Sequence, residues 1–456
     1  MDSAVQPPLP AAASVDVGRL IEAQKPGWIL VRLVLVCWLV TFFDGFDTNA
    51  IAFAAPYLSK AYLFDKSQMS IVFSIGGVGT MCGGFVFGPL GDQVGRRRAV
   101  ITATLIFSIL TLLLALSTEY WELLSVRFLN GVALGGALPL IWALGVEYVP
   151  IRYRATVVTL IMLGYGIGVG VAGPIAVMLL PRFGWQAIFV FGGITSLLAT
   201  LALWALLPES VRFLASSKRC PAMLLATARR MRPDLEIPAD VTWSLPAAPA
   251  ASQHGLAQLF APGLRLLTPL LWICFATALM TNYFLNSWLP LLGAASGLSR
   301  ERISTAAMLY SAGGACGGIL MSILMDRFGI IVSVVLFLLA VPSIALLGLT
   351  GMSSPALFPL VFAAGMSVLG AQFGNNAAAG MSYPTEFRAK AVGWALAVGR
   401  FGSILGQVLG GALIHLHIAP RGLFLGASVP MLLGAAAAAG LSRWLGVPAR
   451  DARRAG

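Results

Sequence analysis

Thr41-Phe42-Phe43-Asp44-Gly45-Phe46-Asp47-Thr48-Asn49 lies well inside an apolar run that begins near Trp28, and its reading decides the fold. Asp44 and Asp47 are three residues apart, so on a helix they share a face. At a rise of about 1.5 Å per residue, a helix entering a bilayer near Ile29 carries both carboxylates to mid-depth. An acid at that depth is costly and is kept where a proton, an ion or a substrate passes. The bland reading, a soluble buried helix with paired acids, fails on the rest of the chain. Only 11% of the 456 residues are charged and 58% are hydrophobic, against roughly 25% charged in soluble domains.

Working outward, about twelve apolar runs of bilayer-crossing length succeed one another. They cover roughly residues 29–56, 69–90, 98–117, 121–147, 156–180 and 186–207, then 267–292, 303–325, 330–350, 355–381, 391–416 and 421–445. The chain reads as an all-α membrane protein of twelve transmembrane helices in two six-helix bundles. A cytoplasmic tail (1–28) precedes the first bundle (29–207), a hydrophilic loop (208–266) leads to the second (267–445), and a tail (446–456) follows. The loop carries Arg229-Arg230, Pro238 and a Pro-Ala-Ala-Pro-Ala-Ala stretch at 246–251. That composition buries little, so its centre is expected to be poorly ordered.

The formal charge of +12 reads as topology. With the N-terminus cytoplasmic, 22 of the 30 Lys and Arg fall in cytoplasmic loops and tails. Six (Lys60, Lys66, Arg182, Arg300, Arg302 and Arg421) fall on the opposite side. This is the positive-inside pattern of a multi-pass inner-membrane protein with both termini in the cytoplasm, and no nucleic-acid partner is implied. The five cysteines form no C-x-x-C pair, so neither a disulfide framework nor a metal site is expected. Residues 1–27 lack the apolar core of a signal peptide. His415 and His417, two apart, do not share a helical face and read as interfacial. There is no Walker-type phosphate loop, and no cofactor is expected.

The two halves repeat. Asp92 and Asp326, Pro150 and Pro384, and Pro56 and Pro290 sit at corresponding span ends, each pair 234 residues apart. Parallel halves of this kind mark secondary transporters, whose site lies between the halves near mid-membrane.

Gly88-Pro89-Leu90-Gly91-Asp92-Gln93-Val94-Gly95-Arg96-Arg97-Arg98 resembles the loop signature of the major facilitator superfamily, and Arg127-x-x-x-Gly131-x-x-x-Gly135 resembles its fourth-span motif. Asp44-Gly45-Phe46-Asp47-Thr48, Ser287-Trp288-Leu289-Pro290, Gly370-Ala371-Gln372 and Val398-Gly399-Arg400-Phe401-Gly402-Ser403-Ile404-Leu405-Gly406 narrow the likeness to the aromatic acid:proton symporters. The resemblance implies the fold, a proton-coupled mechanism and an aromatic carboxylate substrate. Two departures stand out. Gln93 occupies a position usually held by Arg or Lys, and Pro139 is followed by the apolar Leu140, Ile141 and Trp142 where hydroxybenzoate transporters carry small polar residues.

Site expectations follow. Asp44 and Asp47, with Arg127 early in the fourth span, form the proton-coupling group. Arg400, about nine residues into the eleventh span, has no mid-span acid in its own half, and its planar fork suits a substrate carboxylate. Tyr283, Asn286, Trp288, Gln372, Asn375 and Phe401 are candidates to line the cavity, since rings need apolar walls and ring hydroxyls need amide or phenol partners. Asp92, Arg96, Glu147, Arg154, Asp326 and Arg388, at cytoplasmic span ends, are expected to latch the two halves as a gate. The expected activity is proton-coupled import of an aromatic carboxylate by a monomer in the lipid bilayer. The alternatives are a proton-driven antiporter exporting a small apolar acid or drug, to which Gly170-Val171-Ala172-Gly173-Pro174 bears a partial likeness, and a transporter-like nutrient receptor.

Overall fold

A computed structural model of the chain describes residues 14–24, 27–62, 64, 66–150, 153–217, 221–232, 242–244, 256–383 and 388–454. Among these residues twelve helices are long and apolar enough to cross a membrane. After a short α1 (Val17–Glu22), the first six are α2 (Trp28–Ala61), α3 (Lys66–Val94), α4 (Arg96–Leu114), α5 (Tyr120–Glu147), α6 (Arg154–Phe183) and α7 (Gln186–Leu206). Two short helices, α8 (Val211–Ser217) and α9 (Pro221–Met231), lie in the connection. The second six are α10 (Leu267–Ala295), α11 (Arg300–Phe328), α12 (Ile331–Thr350), α13 (Leu357–Ser382), α14 (Arg388–His415) and α15 (Pro420–Arg454). Apolar surroundings leave no water for the backbone, so each span closes its own hydrogen bonds as a helix.

The repeat seen in the sequence is a repeat of contacts. In α3 against α5, a Cβ on Gly79 would strike the Phe128 backbone and one on Gly83 the Val132 backbone. In α11 against α13, 234 residues on, Gly313 meets Phe362 and Gly317 meets Met366 in the same way. Gly168 of α6 on Phe42 of α2 is repeated by Gly402 of α14 on Ala276 of α10. Small residues that let backbones touch are how membrane helices gain packing without a hydrophobic driving force. The tight turns repeat too. Gly95 and Gly329, also 234 apart, take φ of 102° and 67°, values that a residue with a Cβ rarely adopts.

The halves meet toward the end of the bundle where α2 and α10 finish. Phe73 of α3 packs edge-on against Trp288 of α10 with centroids 5.3 Å apart. Gly77 of α3 faces Ile404 of α14, and Gly170 and Gly173 of α6 face Ser311 and Ser304 of α11. By the distribution of basic residues in the sequence, this is the end expected to face outward.

At the opposite end the tail and the connection fold together. Strand β1 (Ser14–Asp16) pairs in parallel with β2 (Thr242–Ser244). Val17, Leu20 and Ile21 of α1 join Leu214 of α8 and Leu224, Ala228 and Met231 of α9 in one buried cluster with Leu33, Val36 and Leu144 of the bundle. Arg232 also donates to the Ala23 carbonyl at 3.2 Å. Residues 211–217 and 221–231 thus pack on the tail and the bundle, α9 burying one face while Arg229 and Arg230 stay exposed; most of the centre of the connection, expected to be poorly ordered, lies outside the described residues. Its Pro-Ala stretch at 246–251 lies outside the described residues.

Candidate functional site

Gly45 sets the site. It stands where α2 crosses α6, and a Cβ there would run into the Tyr165 backbone. On either side of this contact Thr41 Oγ1 donates to the Ile161 carbonyl at 2.6 Å and Asn49 Nδ2 to the Val169 carbonyl at 2.9 Å. The two clamps fix the face on which Asp44 and Asp47 lie. The glycine inside the Asp-Gly-Phe-Asp sequence is thus what brings Tyr165 to the level of Asp44.

The two acids part company in the structure. Asp47 is 3% exposed and pairs directly with Arg127 of α5, itself buried. Room for the guanidinium comes from Gly76 of α3, where a Cβ would come within 3.1 Å of Arg127 Nε. Asp47 Oδ1 and Arg127 Nε keep no hydrogen-bond partner, so the pair is joined through one oxygen and one nitrogen. Asp44 is only half-buried and is electrostatically linked first to Arg400, then to Asp47 and Arg127.

Arg400 comes from the other half. Gly399, Gly402 and Gly406 turn one face of α14 onto α10, and Arg400 lies on the neighbouring face with Ile404, which meets Gly77 of α3. It is half-buried at mid-span and, among the described residues, forms no ion pair within 4 Å. Tyr283, beside Tyr165, and Gln372 are also half-buried. Gln372 Oε1 is buried without a hydrogen-bond partner, and the Tyr165 hydroxyl lies beside Thr48 and Tyr283 with no well-formed hydrogen bond to either. The result is a carboxylate on one half electrostatically linked to a guanidinium on the other, with the unpartnered Tyr165 hydroxyl near the carboxylate.

Other expected cavity residues serve the framework. Trp288 is fully buried, its Nε1 donating to the Gln407 carbonyl at 3.2 Å and its ring packed on Phe73 of the other half. Asn286 donates to Asn282, which also accepts from the Tyr310 hydroxyl at 2.9 Å, and Asn375 donates to the Cys274 carbonyl at 2.9 Å. Phe401 is 63% exposed and shares a stripe with Trp394, Leu405 and Val408, turned away from Arg400. It is corrected from a cavity residue to a residue of the outer, apolar face. Leu140 does not face the cavity either, since it packs against Gly91 between α3 and α5. Tyr165 escaped the sequence reading because a single phenol in an apolar span carries no charge signal. Its flanking glycines, Gly164 and Gly166, were the available clue.

The expected gate residues form a network inside the first half. Arg96 pairs with Glu147, whose second oxygen accepts from Ser210 Oγ at 2.5 Å. Asp92, largely exposed, stands 4.0 Å from Arg96, and Arg154 stands 3.9 Å from Glu22 of the tail. Glu209, absent from the expected set, accepts from the Arg97 and Ser210 backbone at 3.0 and 2.9 Å, while the Tyr148 hydroxyl donates to the Glu209 carbonyl. In this conformation Asp92, Arg96, Glu147 and Arg154 bind the first half to itself, and the expected latch between halves is corrected to that extent. The side chains of Asp326 and Arg388 lie outside the described ones.

The fold and the site together define a membrane transporter of two repeated bundles. A family model for the Major Facilitator Superfamily matches residues 37–374 and 271–455. The chain is 35% identical to a gallate transporter of Pseudomonas putida over 412 residues, 90% of this chain and 91% of that protein. It is 35% identical to the 4-hydroxybenzoate transporter PcaK of the same organism, covering 88% and 90%, and 30% identical to a benzoate transport protein of Acinetobacter baylyi, covering 92% and 91%. Among solved structures, the xylose transporter XylE from E. coli superposes with a TM-score of 0.70 at 16% identity, covering 91% of this chain and 98% of that one. The chain belongs to the major facilitator superfamily, and the three sequence relatives named here are transporters of aromatic acids.

Proposed function

We propose that the protein imports an aromatic carboxylate, of the benzoate or hydroxybenzoate class, together with protons by alternating access across the inner membrane. The observation that carries this reading is Arg400, a mid-span guanidinium without an ion pair among the described residues, set opposite the half-buried Asp44. The aromatic-acid relatives support the substrate class.

Coupling follows from competition for one cation. Arg127 engages Asp47, so Asp44 is the acid free to exchange a proton with the cavity. A proton on Asp44 removes the anion that Arg400 faces, and the substrate carboxylate takes its place, held bidentately by the planar fork. Loss of the proton on the inner side returns the charge to Asp44, which draws Arg400 back and expels the acid. The unsatisfied Gln372 and Tyr165 atoms would be the partners of ring hydroxyls. One proton per monocarboxylate cancels the opposing membrane potential, worth about 2.3 kcal/mol per charge per 100 mV.

Uptake of radiolabelled benzoates into proteoliposomes, with imposed pH and voltage gradients, tests the proposal. Accumulation driven by an inward proton gradient is expected. Extrusion would favour the antiporter, and binding without flux the receptor.

A further inference from the structure

We infer that the outer face carries a second, shallower subsite for the same class of substrate, a vestibule that captures the aromatic carboxylate before it reaches Arg400. The inference rests on the proposed import of such an acid. A cavity of about 210 Å³ opens between the halves at the outer ends of α2, α6, α10 and α11, walled by Phe53, Pro56, Tyr57 and Pro290 and edged by Lys60 and Arg300. Pro56 and Pro290 are repeat mates, so the space lies on the pseudo-symmetry axis of the molecule. Its lining includes none of Asp44, Asp47, Arg127 and Arg400, so it is distinct from the central group of charges.

Three features fit an aromatic anion. The walls are apolar and aromatic, as a ring requires. Lys60 and Arg300 are two of only six basic residues on the outer side, where the topology rule disfavours them, yet both border this one cavity. Neither forms an ion pair among the described residues. Finally, the Arg300 guanidinium lies 5.5 Å over the Tyr57 ring, while the Tyr57 hydroxyl is buried with no hydrogen-bond partner. A carboxylate between Lys60 and Arg300 would pair with both cations and offset one of their two charges, while its ring packs against Tyr57 and Phe53. Because both halves supply the walls, rocking them apart would open the floor toward Arg400. Two cations at the mouth would also raise the local concentration of an anion that the membrane potential repels.

The test is uptake by the full chain in proteoliposomes, comparing wild type with the double variant Lys60→Gln/Arg300→Gln at several ionic strengths. We expect KM for benzoate to rise about fivefold or more with kcat kept, and the salt dependence of kcat/KM to flatten. Charge-preserving Lys60→Arg/Arg300→Lys should restore both. Equilibrium dialysis of benzoate with purified Arg400→Ala protein should reveal a residual weak site that the added Lys60→Gln/Arg300→Gln changes abolish. Unchanged KM and salt dependence in the double variant would overturn the subsite, as would a fall in kcat alone, which marks a structural role at the outer closure. An effect that appears only in anionic-lipid vesicles would assign the cavity to a phosphate headgroup and overturn it too. If wild type itself takes up no benzoate, the proposed function fails first, and dialysis with wild type then shows whether the acid binds at all.

Discussion

At the scale of single residues, the site divides charge between a fixed pair and a free one. Asp47 and Arg127 are both buried and hold each other, so neutralising one strands the other. Asp47→Asn is expected to lose about 3–5 kcal/mol of stability, read as a lower melting temperature and a poor yield of monodisperse protein. Asp47→Asn/Arg127→Gln should recover much of the yield without recovering transport. Asp44→Asn, at a half-buried position, should fold normally and still exchange substrate across the membrane, but fail to accumulate it under an inward proton gradient. Arg400→Ala should weaken binding of the acid by about 10–100-fold, the loss of a charge-assisted hydrogen bond worth about 1.5–3 kcal/mol, while an uncharged aromatic amide binds as before. Equal loss for acid and amide in equilibrium binding would make Arg400 a framework residue. These four charges were legible in the sequence because a charge inside an apolar run announces itself. Tyr165 and Glu209 were not, the first for want of charge and the second because it follows the span. Trp288 and Phe401 were assigned by residue type, and type does not say which helical face a side chain takes.

At the scale of elements, the glycines decide which helices touch. Gly45 is caught between the two acids and the α6 backbone. Gly45→Ala should therefore lower the melting temperature and abolish transport, since pressing a methyl into a filled contact costs about 1–3 kcal/mol. Gly426→Ala in α15 is the matched control, because nothing lies within 4 Å of its Cβ position and alanine is the better helix former. It should leave stability unchanged or raised. The sequence shows where glycines recur, but not that one carries the Asp-Gly-Phe-Asp face to Tyr165. That depends on α6, more than a hundred residues away. The short helices of the inner face were hidden for a related reason. The connection is polar on average, and only the partner surface supplied by the tail and by α2 makes the buried stripe of α9 worth burying.

At the scale of the whole molecule, the offset of 234 residues read from three pairs of positions reappears in helix contacts and turn geometry alike. The repeated glycine contacts close within each half, while Gly77, Gly170 and Gly173 meet the other half, and the network of Arg96, Glu147 and Glu209 ties the first half to the start of the connection. The strand pair between Ser14–Asp16 and Thr242–Ser244 adds a practical consequence. Among the described residues the pairing of the connection with the tail reaches to Ser244, and the first helix of the second bundle begins at Leu267. Two genes, one ending just after residue 244 and one starting near residue 256, should yield polypeptides that find each other in the membrane, co-purify through a tag on either, and transport. Moving the break back to residue 232 removes β2 from the first polypeptide and should reduce its yield. The protein would then behave as a heterodimer that happens to be encoded as one chain.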